Sequence, residues 1–115
     1  MLQSDKKNCF IELGKFLAQF EANGSCRNDA VLYNDLFFDD FEALIHLSQS
    51  HNGWYTPEQV YFAVQSWAQA LTEQNLNQWL SKYDLSLAKP KTVGLILAGN
   101  IPLVGFHDLL SVLVT

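Results

Sequence analysis

The sequence predicts a mainly α-helical region at residues 1–91, followed from residue 92 by the first strand and helix of an α/β domain. Apolar residues recur every three or four positions through most of the first part, which is typical of amphipathic helices. Pro90 interrupts any helix. Residues 93–98 are a continuous apolar run, as in a strand covered on both faces. A parallel strand, its crossover helix and the return strand need about 30 residues, so we expect a truncated piece of a larger protein.

The first helix is predicted at about residues 4–22, where apolar side chains fall on one face and charged ones on the other. Residues 23–25 (NGS) are expected to end it. The apolar residues in the segment 27–38 fit either a short helix or an irregular packed turn, and its type stays open.

A second helix is predicted over residues 40–50. Asp39 and Glu42 have the spacing of a capping box, in which side chains satisfy the first backbone N–H groups of a helix. Asn52-Gly53 can adopt the left-handed conformation that ends helices.

The clearest helix start is Thr56-Pro57-Glu58-Gln59. Thr56 can cap, Pro57 suits a first position that needs no donor, and Gln59 can close the box. A shorter helix is expected to follow before the break at Pro90. The apolar faces of these two helices are predicted to contain Val60, Val64, Trp67, Leu71, Leu76, Trp79, Leu80 and Tyr83. For Trp54, Tyr55, Trp67 and Trp79, core packing is favoured over a stacking platform for bases or sugars.

Charge excludes two classes of partner. The formal net charge is −5, and no Lys or Arg occurs between Arg27 and Lys82. Such a surface repels phosphates, so we expect neither nucleic-acid binding nor docking on an anionic membrane. Polar residues interrupt the apolar segment 92–115, so no membrane span is predicted. The polar amino terminus has no secretory apolar stretch, which predicts a cytoplasmic location.

The cysteines and histidines give weak signals for chemistry. Cys9 and Cys26 have no metal-ligand spacing, and we expect reduced structural thiols. His46 and His51 are five residues apart, which misses the spacing for a shared metal, and no metal site is predicted. Adjacent helical residues such as His107 and Asp108 point about 100° apart, which favours a cap or a domain contact over a catalytic pair.

The loop after the predicted strand is the best candidate for a site. Gly99 lets the backbone turn sharply and approach a ligand. Asn100 follows at the carboxyl end of the strand, where open α/β sheets bind ligands, and Pro102 stiffens the exit. From the residues alone, Asn100 is either a ligand donor or an asparagine that forms the turn.

Two segments carry a resemblance. Residues 93–108 (VGLILAGNIPLVGFHD) resemble the first cofactor-domain strand and loop of the fatty acyl-CoA reductases of luminous bacteria and their Bacteroidetes homologues. Residues 52–60 (NGWYTPEQV), with Trp79, Leu80 and Tyr83, are similar to the helical amino-terminal region of that family. The family belongs to the aldehyde dehydrogenase superfamily, so the resemblance implies that residues 92–115 begin an aldehyde dehydrogenase-like, Rossmann-type domain.

The resemblance also implies a reaction. In the superfamily the corresponding loop reads proline, tryptophan, asparagine, aromatic, proline; here only Asn100 and Pro102 match. Asn100 would be the oxyanion donor when a thiolate attacks an acyl-CoA, and Gly99, Asn100, Ile101 and Pro102 would form the cofactor-binding loop. NADPH would convert the acyl-cysteine into the aldehyde. The family's cysteine lies downstream of Thr115, so the fragment is expected to be inactive alone.

An alternative stays open. Residues before Lys89 could form an independent helical protein-interaction module whose apolar tail docks onto a partner. In either case a lone strand has unpaired backbone groups on both sides, and we expect self-association through residues 92–115.

Overall fold

The computed structural model describes residues 2–115, and five helices occur in that range: α1 (Gln3–Leu17), α2 (Asn34–His51), α3 (Pro57–Ala70), α4 (Glu73–Leu80) and α5 (Phe106–Val114). Helix α1 lies against α3, α4 and α5, and α2 lies against α3. The mainly helical character predicted from the periodicity is therefore confirmed.

The capping box at the start of α3 is present as predicted. The Thr56 hydroxyl accepts from the Gln59 backbone N–H at 3.2 Å, and the Gln59 side chain accepts from the Thr56 N–H at 3.2 Å. Pro57 occupies the first turn, where its missing donor costs no hydrogen bond. Thr72 caps α4 in a similar way, accepting from the Asn75 N–H at 3.2 Å.

Two helix boundaries differ from the prediction. Helix α2 begins at Asn34, so Asp39 and Glu42 lie inside it and do not cap it. The earlier start follows from packing, because it turns Phe38 into the core together with Ile45, seven residues later on the same face. Helix α1 ends at Leu17, about five residues before the predicted end at residue 22.

The core contains a cluster of phenylalanines between α1 and α2. Phe20, fully buried just after α1, lies 4.9 Å from the Phe38 ring and 4.8 Å from the Phe41 ring, measured between centroids. Phe16 lies 5.2 Å from Phe20. Such aromatic pairs add to the stabilisation that their buried area provides. The other buried apolar residues are Leu17, Ile45, Val60, Tyr61, Val64, Ala68, Leu71, Leu76, Leu110 and Val114.

A buried pair of amides fixes the long connection between α1 and α2. The Gln19 side chain donates to the Asn34 side chain at 2.8 Å, and Asn34 donates back at 2.8 Å. Gln19 also bonds the Phe16 carbonyl and the Asn28 N–H, and Asn34 bonds the Asn28 carbonyl. Each amide therefore finds partners for both its donor and its acceptor, as burial requires.

The carboxyl-terminal part agrees with one prediction and differs from the other. Helix α5 forms, and it buries Leu110 and Val114 in the core. The predicted strand at residues 93–98 does not form, and residues 2–115 contain no strand and no Rossmann-type sheet. The physical reason is that a strand needs a neighbouring strand to pair with, and this range provides none. Residues 91–100 are all exposed, and the domain division at residue 91 stays a prediction.

Membrane crossing requires a long apolar helix. None of the helices in residues 2–115 has the length and apolar character needed for this.

Gly14 allows α1 to approach the end of α3 closely. A Cβ atom at Gly14 would lie 2.6 Å from the Leu71 carbonyl oxygen and 2.8 Å from the Leu71 Cβ. Backbone atoms cannot move aside as a flexible side chain can. The contact between α1 and α3 therefore depends on the missing side chain.

We predict that Gly14→Ala destabilises the protein by about 1–3 kcal/mol, because overpacking outweighs the gain in helix propensity. The measurement is chemical denaturation. Gly53→Ala is the matched control, since a Cβ at Gly53 meets nothing within 4 Å. Equal stability of the Gly14→Ala and wild-type proteins would contradict the prediction, because α1 would then move away from α3 with no loss of stability.

Candidate functional site

The candidate loop, residues 99–102, is held by two side chains from the turn between α2 and α3. The Asn52 side-chain amide donates to the Gly99 carbonyl at 2.9 Å. The Tyr55 hydroxyl lies 3.2 Å from the Gly99 carbonyl oxygen and 3.3 Å from that of Ile101. Because a hydroxyl has one hydrogen, Tyr55 shares it between the two carbonyls. These contacts grip the backbone on both sides of Asn100.

The turn that supplies these donors is itself well fixed. The Asn52 N–H bonds the Ser48 carbonyl at the end of α2 at 2.9 Å. The Asn52 side-chain oxygen accepts from the Trp54 N–H at 3.1 Å, and the Tyr55 N–H donates to the Asn52 carbonyl at 3.0 Å. The capping box at Thr56 follows directly. Asn52 and Tyr55 are thus held between two packed helices.

Asn100 is exposed, and its side-chain amide makes no hydrogen bond with any of residues 2–115. The sequence left open whether this amide bonds its own turn, and here it does not. A Cβ at Gly99 would meet nothing within 4 Å, so one side of the loop is open to a ligand. The loop therefore presents an amide and bare backbone to solvent. Ile101 is exposed and Pro102 half-buried.

The segments just before and just after the loop are in close contact with each other. A Cβ at Gly105 would lie 2.8 Å from Cδ2 and 2.9 Å from Cβ of Leu97, so Leu97 packs directly over that glycine. Leu103 adopts a left-handed conformation with φ of 56°, which residues other than glycine seldom adopt. The Phe106 N–H then bonds the Leu103 carbonyl at 3.0 Å as α5 begins.

His107 and Asp108 do not form a pair. The His107 ring lies 5.8 Å from the Trp79 ring, and no ion pair or hydrogen bond joins it to Asp108 within the described residues. His107 instead borders a cleft of about 270 Å³ together with Trp67 and Trp79. The predicted cap or contact with a neighbouring domain at His107 stays a prediction.

The aromatic residues divide between core and surface. Trp67 and Trp79 are half-buried and pack against the core, as predicted, and Trp67 meets the edge of Phe106 at 4.5 Å. Tyr55 is half-buried. Trp54 is 82% exposed, so the prediction of core packing is wrong for this residue. Trp54 lies in the turn between α2 and α3, outside the helical faces whose periodicity predicts burial, and only its backbone N–H bonds Asn52.

A larger apolar groove of about 370 Å³ lies between α1 and α2, and it is lined in part by Leu13, Phe37 and Leu44. Cys9 is at this groove. Cys9 and Cys26 are both exposed free thiols. Within residues 2–115, no three His, Cys, Asp or Glu side chains gather in a way that could hold a metal ion.

Asp84 lies in the turn after α4. Hydrogen bonds from the Ser86 hydroxyl and backbone N–H hold the pKa of its carboxyl below the usual value. This carboxylate is fully exposed, and its bonds are those of a local turn. It contributes nothing to the loop at residues 99–102.

No protein-family model, curated protein or solved structure matches this chain. Residues 52–60 and 93–108 are brought together by the bonds from Asn52 and Tyr55, which reach carbonyls more than 40 residues away in sequence. Sequence reasoning missed this role, because Asn52 was interpreted only as a helix end. The expected resemblance of both segments to one family was the signal that could have placed them together.

Proposed function

We propose that this chain is the amino-terminal part of an NADPH-dependent acyl-CoA reductase, which converts an acyl-CoA into a fatty aldehyde through an acyl-cysteine. The observation that carries the proposal is the geometry of the loop at residues 99–102. Its backbone is gripped at the Gly99 and Ile101 carbonyls, and the Asn100 amide between them is exposed and unpaired within residues 2–115.

In this reaction Asn100 would act as an oxyanion donor. When a thiolate attacks the thioester, negative charge develops on the carbonyl oxygen, and an amide N–H already aimed at that position stabilises it. A donor whose backbone is held by the surrounding structure needs less reorganisation as the charge forms. The attacking thiolate is not assigned to this chain, since Cys9 lies in the groove between α1 and α2 and Cys26 in an exposed turn.

The loop is compatible with a cofactor at Gly99, Asn100, Ile101 and Pro102. The backbone N–H groups of residues 99–101 make no hydrogen bond with residues 2–115, and open space lies beside Gly99. A polar group of NADPH could accept from these donors, and the open space would admit it. When bound, NADPH supplies the hydride that releases the aldehyde.

The exposed apolar residues before the loop support a larger α/β domain. Val93, Leu97 and the fully exposed Ile96 leave apolar surface in water. We propose that residues 93–98 form the predicted strand when a neighbouring strand is available, which would cover this surface and satisfy the backbone. The helical residues 1–91 would then pack beside that domain. The cytoplasmic location and the acyl-CoA substrate belong to the same proposal.

We predict that Asn100→Ala lowers kcat/KM of the whole reductase about 10²- to 10³-fold, as expected for loss of one oxyanion donor. The measurement is NADPH oxidation with acyl-CoA substrates of several chain lengths. Asn8→Ala, at an exposed position in α1, is the control and should retain full activity. Absence of NADPH oxidation with every acyl-CoA would overturn the proposal.

The interaction module is a second candidate, and the exposed apolar residues between positions 93 and 104 favour it. In this interpretation the segment docks onto a partner protein. Helix α5 bears on the choice, because Leu110 and Val114 are buried in the same core as α1. Removing a tail that contributes to the core lowers the free energy of unfolding.

Removal of residues 92–115 distinguishes the two candidates. We predict that residues 1–91 alone lose at least about 3 kcal/mol of stability, because fully burying one large aliphatic side chain contributes about 1.5–3 kcal/mol and two such residues are lost. The measurement is thermal unfolding followed by circular dichroism. An unchanged midpoint relative to the whole chain would favour the independent module.

We also predict that the 115-residue chain self-associates through residues 92–115, which light scattering measures as a mass above that of a monomer. Ile96→Asp should restore the monomer, because a charge at this fully exposed position opposes apolar pairing. Leu87→Asp, at another exposed apolar position, is the control and should leave the assembly intact. A monodisperse monomer of the unchanged chain would contradict the prediction.

A further inference from the structure

We infer that Asn52 and Tyr55 are positioning residues, which fix the backbone at Asn100, and so the place from which its side chain extends, by holding the carbonyls on either side of it. The catalytic consequence rests on the proposed function, whereas the grip itself is a property of this chain. Asn52 donates to Gly99 at 2.9 Å, and Tyr55 shares its hydroxyl hydrogen between Gly99 at 3.2 Å and Ile101 at 3.3 Å.

Apart from the packing of Leu97 on Gly105, few other contacts hold the loop. Residues 91–100 are all exposed, and no backbone N–H of residues 99–101 bonds another of the described residues. Gly99 has a wide choice of backbone conformations. The remaining local bond, from the Val104 N–H to the Ile101 carbonyl, is long at 3.4 Å. The position of the Asn100 backbone, from which its side chain extends, therefore depends on the two donors from the α2–α3 turn.

The two donors can be separated from the turn that carries them. The Asn52 side-chain oxygen supports the turn by accepting from the Trp54 N–H, while its nitrogen grips Gly99. Asn52→Asp keeps the acceptor and loses the donor. Tyr55→Phe keeps the ring and loses only the hydroxyl. Each variant thus removes one of the two donors that hold the loop while preserving the bonds within the turn.

The first experiment uses the 115-residue chain, without any substrate. We expect ¹⁵N relaxation to show increased motion at Gly99, Asn100 and Ile101 in Asn52→Asp and in Tyr55→Phe, with the helices unchanged. The matched controls are Asn8→Asp and Tyr83→Phe, both at exposed positions whose side chains make no hydrogen bond within residues 2–115. Loop motion equal to that of the unchanged chain in both grip variants would overturn the inference.

The second experiment uses the whole reductase and a double-mutant cycle. Displacing a reacting group by about 1 Å can cost about 10²-fold in rate, so we expect Tyr55→Phe to lower kcat 10- to 100-fold with KM for acyl-CoA unchanged. In the Asn100→Ala background, Tyr55→Phe should lower kcat no further, because it acts through that amide. Equal losses in both backgrounds would overturn the positioning role.

The two experiments keep the inference and the proposed function distinguishable. If no acyl-CoA supports NADPH oxidation, the proposed function fails, and the relaxation data alone support or overturn the grip on Asn100. If activity is present and the cycle is additive, the reductase assignment stands and the positioning role is overturned.

Discussion

The arrangement of the candidate site depends on three hydrogen-bonding contacts between the α2–α3 turn and the loop before α5. Asn52 and Tyr55 reach carbonyls more than 40 residues away in sequence. They tie an otherwise exposed, irregular segment to the helical core. Buried Leu110 and Val114 anchor the chain just beyond the loop. These two attachments restrain the backbone between them, and the exposed Asn100 side chain extends from it.

The rigidity of these hydrogen-bonding contacts depends on the helices on either side of the turn that carries Asn52 and Tyr55. Helix α2 is fixed at one end by the buried amide pair of Gln19 and Asn34, and α3 is fixed at its start by the capping box after Tyr55. The close contact of Gly14 with Leu71 holds α1 against the end of α3. The position of the loop therefore depends on the packing of the core, because the core orients the turn and the turn orients the loop.

Features of the fold that depend on residues close together in sequence were predictable from the sequence. The capping box at Thr56 and helix α5 depend on neighbouring residues, and the sequence indicated both of them. The start of α2 was misplaced because burial of Phe38 outweighs a favourable cap at Asp39. A strand at residues 93–98 needs a partner strand, which residues 2–115 do not provide. The grip of Asn52 on Gly99 was not predictable, because it depends on how two distant segments fold together.

The proposed reductase joins these observations in one account, in which an amide held by the fold stabilises charge on a thioester oxygen. The most direct measurement is a structure of the whole reductase with a bound acyl-CoA. The account predicts that the Asn100 side-chain nitrogen lies about 2.7–3.1 Å from the position of the developing oxyanion. An Asn100 amide turned away from the thioester, with the carbonyl oxygen bound only by other donors, would contradict it.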